Sequence, residues 1–484
     1  MRRWIAGAGS EETRLTAIFD IVAEQRREIQ STSGAQPEAA HRTIFSNRQL
    51  LSMICPLVID KALALTVSLA DSVMVSNAGE AAVSGVSMVD LINVLMIEVF
   101  SALAVGGAVV VSQRIGAKCF ADAKCAAEQL LLITLALSLG VSALLFCFRV
   151  PLLTLLFHRV EPDVMANCRI YLAITCLSYP FLAVCNAAVA VFRAQGNTRT
   201  GMFVGILINL INVAGNAILV YGFRLGAAGV AIPTLVSRAV GGLTSIVLLF
   251  RWNGGSFSVG PVRNIRYCRK TAMQLLHVGA PNAMESAMFQ LGKLLVIVFL
   301  SGYGTTQIAA DTMANRLAYF SYLIGLSINL AIVPVTGQCV GAQEFAQARI
   351  NTRKVLLWCY LANVFSCALV MLGMGPVLRA YQASLVTSGY VRKLLWMHTA
   401  AVLTIWPLSF TIPSALRGAG DVRFTSGVAV MSMWVFRVGG SALLCLHFHW
   451  GVVGIWTAMF ADWLFRAIFY VHRFHTETWY HMQV

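Results

Sequence analysis

The residues of this sequence best placed to do chemistry are carboxylates set inside long apolar runs. Asp60 and Asp71 lie in the run at about 50–76, and Glu285 lies in the run at about 273–300. A charge at a bilayer centre costs about 2.5–3.5 kcal/mol on insertion scales, so an intramembrane carboxylate marks an ion path or proton relay by default. Asp60 and Asp71 are eleven residues apart, about three helical turns and 16 Å of rise, so they share one helix face. Pro56 is on that face too. The stripe reads as an ion path for H⁺ or Na⁺, with Asp71 in the outer half and Asp60 nearer the cytoplasm, where it can also pair with Lys61. Asn212 and Asn216 are one turn apart and can face one partner, either as cleft groups or as interhelical amide glue. The remaining intramembrane charges, Lys293, Arg316, Arg238, Arg437, Asp462 and Arg466, read as structural pairs, with Asp462 and Arg466 at i,i+4.

Other chemistries are absent from the pattern. His447-Phe-His449 has no third metal ligand beside it, and no Walker motif is present for a nucleotide. The twelve cysteines form no C-x-x-C pair and mostly fall in apolar runs, where they act as small hydrophobes. No nucleophile with a base is visible, so the chain does not read as an enzyme. No cofactor, metal, nucleotide or nucleic acid is expected. The net charge of +15 is spread between apolar runs rather than gathered on one soluble face.

The elements that must hold these groups are membrane helices. Of 484 residues, 58% are hydrophobic and only 12% charged, enough for about a dozen spans of 20 residues with little left for a soluble domain. Twelve apolar runs are legible: about 50–76, 84–112, 126–148, 165–192, 201–222 and 228–250, then 273–300, 307–336, 355–376, 390–415, 425–446 and 452–471. Basic clusters follow every second run, at Arg114–Lys124, Arg251–Lys270 and Arg349–Lys354, as the positive-inside rule requires of cytoplasmic loops. Both termini are therefore expected in the cytoplasm. The divisions read as a tail over 1–48 with a helical pattern from Glu12 to Ile29, a lobe over 49–251, a linker over 252–271, a second lobe over 272–475 and a tail over 476–484.

The two lobes repeat one pattern. Pro56 pairs with Pro281, Gln113-x-x-Gly116-Ala117 with Gln338-x-x-Gly341-Ala342, and Gly226-x-x-Gly229 with Gly451-x-x-Gly454, each 225 residues on. Arg193-x-x-Gly196-Asn197-x-Arg199 returns as Arg417-x-x-Gly420-Asp421-x-Arg423, 224 residues on. Six spans per half make the copies parallel, related by an axis along the membrane normal. Glu285 takes the place of Asp60, whereas Val296 replaces Asp71, so the lobes are chemically unequal. The arginines of the two Arg-Gly loops are expected to anchor to phosphate headgroups and their glycines to turn the chain.

From Phe45 to Trp479 the chain resembles the multidrug and toxic compound extrusion (MATE) family, in a prokaryotic branch. The resemblance rests on Pro56, Leu69-Ala-Asp71-Ser-Val-Met-Val, the two Gln/Gly-Ala loops, Phe192-Arg-Ala-Gln-Gly-Asn197 and Leu416-Arg-Gly-Ala-Gly-Asp421. It implies an all-α membrane protein of about twelve transmembrane helices in two parallel six-helix lobes. It further implies a monomeric inner-membrane antiporter that exports amphipathic or cationic small organic molecules in exchange for H⁺ or Na⁺. Asp71 matches the family's coupling carboxylate, and Asn212-x-x-x-Asn216 matches a motif whose second position is Asp in some branches. A flippase for a lipid-linked or polysaccharide precursor is the competing reading; such a cleft needs clustered arginines, and the sequence shows them scattered.

Overall fold

The computed structural model describes residues 44–76, 79–157, 160–252, 254–260 and 267–482; the tail pattern at 12–29 lies outside them. The first half runs α1 (Asn47–Ser76), α2 (Glu80–Gly116), α3 (Phe120–Cys147), the short α4 (Arg149–Leu156), α5 (Pro162–Ala194), α6 (Thr198–Asn216) and α7 (Gly226–Arg251). The second half runs α8 (Arg269–Ser301), α9 (Thr305–Gly341), α10 (Phe345–Ala380), α11 (Leu385–Thr404), α12 (Trp406–Gly418), α13 (Val422–Ser432) and α14 (Gly451–His475). Eleven of the described helical segments are long and apolar enough to cross a membrane. The bent pair α11–α12 supplies a twelfth span.

That pair differs from the single run expected at 390–415. It bends by 45° at Ile405, where Pro407 in the first turn of α12 has no N–H to continue the ladder. A second departure is in α6, which passes into a π-helical stretch over Ala217–Gly222 directly after Asn216. In the second half, α13 continues through π-helical stretches at Met433–Gly439 and Leu443–His447. π-Helical turns collect at functional sites; the first stretch directly follows Asn216, and Arg437 lies within Met433–Gly439.

Within the first lobe α5 packs between α2 and α7; in the second, α10 and α12 pack on α9, and α14 on α12. The lobes meet through α2 against α8 and α9, and through α1 against α9. Their cores are partly exchanged. Leu50, Met53, Ile54 and Leu57 of α1 belong to the second lobe's core, and Leu275 and Val278 of α8 to the first lobe's. Leu50 and Met53 are the repeat equivalents of Leu275 and Val278, so the exchange follows the internal symmetry.

The repeated Gln-x-x-Gly motif acquires its reason here. A Cβ on Gly116 would fall 2.0 Å from the Gln338 carbonyl oxygen, and one on Gly341 would fall 1.9 Å from that of Gln113. Only glycine allows the ends of α2 and α9 to cross so closely. Across this seam Gln113 Nε2 donates to the Gly418 carbonyl (3.2 Å) and Gln338 Nε2 to the Ala194 carbonyl (2.7 Å). Arg114 Nη2 donates to Gln274 Oε1 (2.6 Å), and Asn282 Nδ2 to the Ala102 carbonyl (2.5 Å). All four bonds lie in the half of the molecule where α1 and α8 begin. The C-terminal segment docks at the same end: Trp479 is buried and stacks on Phe474, and Arg349 binds Glu477 at 2.7 Å.

Candidate functional site

Asp71 is reached by α1 in the half of the lobe away from the seam, half-buried beside α6 and α7. Asn216 Nδ2 donates to Asp71 Oδ1 at 3.0 Å. With its amide nitrogen toward the carboxylate, Asn212 lies 3.1 Å from Asp71 Oδ2 and 3.3 Å from Oδ1, and its oxygen accepts from Thr234 Oγ1 at 3.2 Å. In the opposite orientation the Asn212 oxygen accepts from Asn216 Nδ2 at 3.1 Å and faces the carboxylate, an arrangement that a cation or a proton between the two oxygens would favour. Asn216 is buried, and its Oδ1 has no hydrogen-bond partner. The site thus offers carboxylate, amide and hydroxyl oxygens from three helices, the hard donors suited to a small alkali cation or a proton. Thr234 was invisible to sequence reasoning. A threonine in an apolar run gives no signal until α7 is placed against α6.

Next to this site is a second carboxylate that sequence reasoning passed over. Asp90 Oδ1 accepts from Asn93 Nδ2 and Tyr171 OH, both at 3.0 Å, and Tyr179 OH donates to Asn93 Oδ1 at 2.7 Å. Arg238 Nη1 donates to Ser178 Oγ at 2.8 Å and acts electrostatically on Asp90, as Asp90 does on Asp71. The signal was available, because Asp90 sits inside the apolar run 84–112 and meets the same test as Asp71.

Asp60 and Glu285 do not join Asp71. Glu285 receives Arg417 Nη2 at 2.5 Å and Ser426 Oγ at 2.9 Å. Asp60 takes the equivalent place in the first lobe, where Arg193 and Lys61 are its neighbouring charges and Gly205 leaves room for its carboxylate: a Cβ there would lie 2.2 Å from Asp60 Oδ1. Arg417, the first arginine of the second Arg-Gly loop, therefore turns inward to a carboxylate rather than outward to headgroups, correcting the expectation from sequence, while Arg193 of the first loop donates from Nε to the Val189 carbonyl at 3.4 Å and acts on Asp60 electrostatically. A buried acid on the facing helix is a stronger partner than solvated phosphate. The glycines behave as expected, with Gly196 at φ +80° and Gly420 at φ +99°.

The remaining charges do pair in part. Asp462 is fully buried and accepts from Arg466 Nε at 2.8 Å, with Arg437 Nη1 at 3.9 Å. Two arginines that looked scattered along the chain are gathered in space with a lysine, since Arg437, Arg466 and Lys293 all lie over the Phe289 ring.

Two repeated helical lobes, joined at one end and carrying polar groups inside the membrane region, define a multi-pass membrane transporter. The MatE family model matches residues 56–218 and again 281–443, both limits shifted by 225, and the chain belongs to that family. It is 26% identical to the uncharacterized transporter YisQ of Bacillus subtilis, over 89% of this chain and 94% of that protein. It is 22% identical to the probable multidrug resistance protein NorM of Thermotoga maritima, over 89% and 93% of the two chains. Among solved structures, an outward-facing multidrug resistance MATE family transporter superposes with a TM-score of 0.82 at 18% identity, covering 89% of this chain and 96% of that one.

Proposed function

We propose that this protein is a secondary antiporter that exports amphipathic or cationic small organic molecules in exchange for H⁺ or Na⁺, working as a monomer by alternating access between its lobes. The observation that carries the reading is the oxygen cage of Asp71, Asn212, Asn216 and Thr234. Support for alternating access comes from the seam, whose inter-lobe bonds sit at one end while the cage occupies the other half of the first lobe. In this reading Asp71 holds the coupling ion, Asn212 reorients with its arrival and departure, and Asp60 and Glu285 brace the Arg-Gly loops. The relatives named for multidrug resistance favour export over a lipid-precursor flippase.

One monovalent cation moving inward through 100 mV releases about 2.3 kcal/mol, which sustains about a forty-fold gradient of a neutral solute. In proteoliposomes loaded with a fluorescent amphipathic dye, efflux is expected to follow an imposed Na⁺ or H⁺ gradient and to cease when that gradient is collapsed. Efflux at the same rate with no ion gradient would remove the antiport reading.

The basic runs after every second span support a reading in which both termini and the 252–271 segment are in the cytoplasm of a plasma membrane. In intact cells a cysteine introduced at Ser256, on a background without native cysteines, is expected to resist membrane-impermeant maleimide and to react after permeabilisation. Ready labelling of unbroken cells would invert the topology.

A further inference from the structure

The repeat lets the two lobes be compared position by position at the cage. Shifted by 225 residues, Asp71 becomes Val296, Asn212 becomes Arg437, Asn216 becomes Ser441 and Thr234 becomes Met459. The Arg-Gly loops that open α6 and α13 keep an offset of 224, so Asn212 and Arg437 correspond to within one residue; the second lobe has a valine where the carboxylate stands and a guanidinium beside the place of the amides, so the sign of the site is reversed.

Other cations join it. Arg437 Cζ, Lys293 Nζ and Arg466 Cζ lie 5.3, 5.0 and 5.6 Å from the centre of the Phe289 ring. Against these three charges the cluster holds one carboxylate, Asp462, whose Oδ1 is taken by Arg466. Its Oδ2 is fully buried without a hydrogen-bond partner, and Arg437 stands off at 3.9 Å. Among the described residues no carboxylate lies within 4.0 Å of Lys293, which is exposed. Three further acids act electrostatically on the cluster: Asp311, which accepts from Trp456 Nε1 at 2.8 Å, Glu285, which acts on Arg466 but is itself bound by Arg417, and Glu98, which belongs to the opposite lobe. Uncompensated cations at membrane depth are costly unless water or a counter-ion reaches them.

We propose that Lys293 and Arg437 form the binding site for the acidic group of an amphipathic organic anion, a carboxylate or its like, carried by a soluble substrate. The proposal rests on the transport reading above and narrows its substrate class. The acid takes the position against Arg437 that the buried Asp462 Oδ2 leaves unfilled, and Lys293 supplies the second donor from the accessible side. A substrate whose only charge is positive meets three like charges here, which discriminates against it.

The test uses two xanthene dyes of similar size and opposite charge, fluorescein and rhodamine 6G, with fluorescence anisotropy on the purified full-length protein in phosphatidylcholine nanodiscs. Fluorescein is expected to bind the wild-type protein. Lys293→Gln is expected to weaken it about tenfold or more, Lys293→Arg to restore it within about threefold, and rhodamine 6G binding to be unaffected or improved by the loss of charge. No fluorescein binding, or equal affinity in Lys293→Gln, overturns the proposal. Displacement of fluorescein by a low mole fraction of phosphatidylglycerol would overturn a soluble substrate and give the site to a lipid headgroup. Lys293-dependent fluorescein binding without gradient-driven movement in proteoliposomes would keep the site and overturn the antiporter reading instead.

Discussion

Asp71→Asn protein binds substrate but no longer drives it against a gradient. The substitution keeps the shape of the side chain and its bond to Asn216, and removes the one charge in the cage that can take up and release an ion. Coupling requires the ion and the substrate to prefer different access states, and an uncharged residue at this point has nothing with which to distinguish them. The accumulation ratio is therefore expected to fall from about forty-fold per 100 mV toward one, and the dependence of transport on pH and Na⁺ to flatten. Dye efflux under imposed gradients, paired with equilibrium dye binding, measures both halves of the claim. Wild-type efflux with unchanged ion dependence would show that Asp71 is not the coupling residue. Asp90 would then be the next carboxylate to replace, because its charge already acts on Asp71 through the same lobe.

The second large effect is expected at the seam. Gly116→Ala adds a single methyl that would lie 2.0 Å from the Gln338 carbonyl, and Gly341→Ala does the same to Gln113 at 1.9 Å. Backbone oxygens cannot turn aside, so the ends of α2 and α9 must separate. Alanine is a better helix former than glycine, which means any loss comes from the crossing and not from the helix itself. Forced overpacking costs about 1–3 kcal/mol, equivalent to roughly five- to 150-fold in an equilibrium. Spin labels at Ala121 and Ala346, repeat-related and exposed at this end, are expected to show longer distances in either variant, and transport to slow because one access state has been disfavoured. Distances and rates equal to those of the parent protein would show that the crossing is not part of the transport cycle.

These expectations connect two features that the repeat produced differently. At the seam the copies have stayed alike, because each glycine packs against the glutamine backbone of the other motif, which cannot move aside. At the cage they have diverged, since Asp71 and Val296, like Asn212 and Arg437, face separate parts of the fold and neither member of a pair depends on the other for space. Symmetry persists where the two lobes touch, and chemistry differs where they do not.

The sequence by itself determined the helices, their number, the parallel repeat and the pair Asn212 and Asn216 on one face, because hydropathy, helical periodicity and motif offsets are local properties of the chain. The turn glycines Gly196 and Gly420 and the i,i+4 pair of Asp462 with Arg466 were legible for the same reason. Which groups meet across helices was decided only by tertiary structure, since span hydropathy leaves the rotation and tilt of each helix open and packing sets them. Asp60 and Asp71 share one face of α1, yet the first sits against Gly205 with Arg193 near, while the second lies among Asn212 and Asn216. Thr234 enters the cage because α7 lies beside α6. Arg437, Lys293 and Arg466, far apart in sequence, converge on Phe289 because α8, the extension of α13 and α14 pack together there.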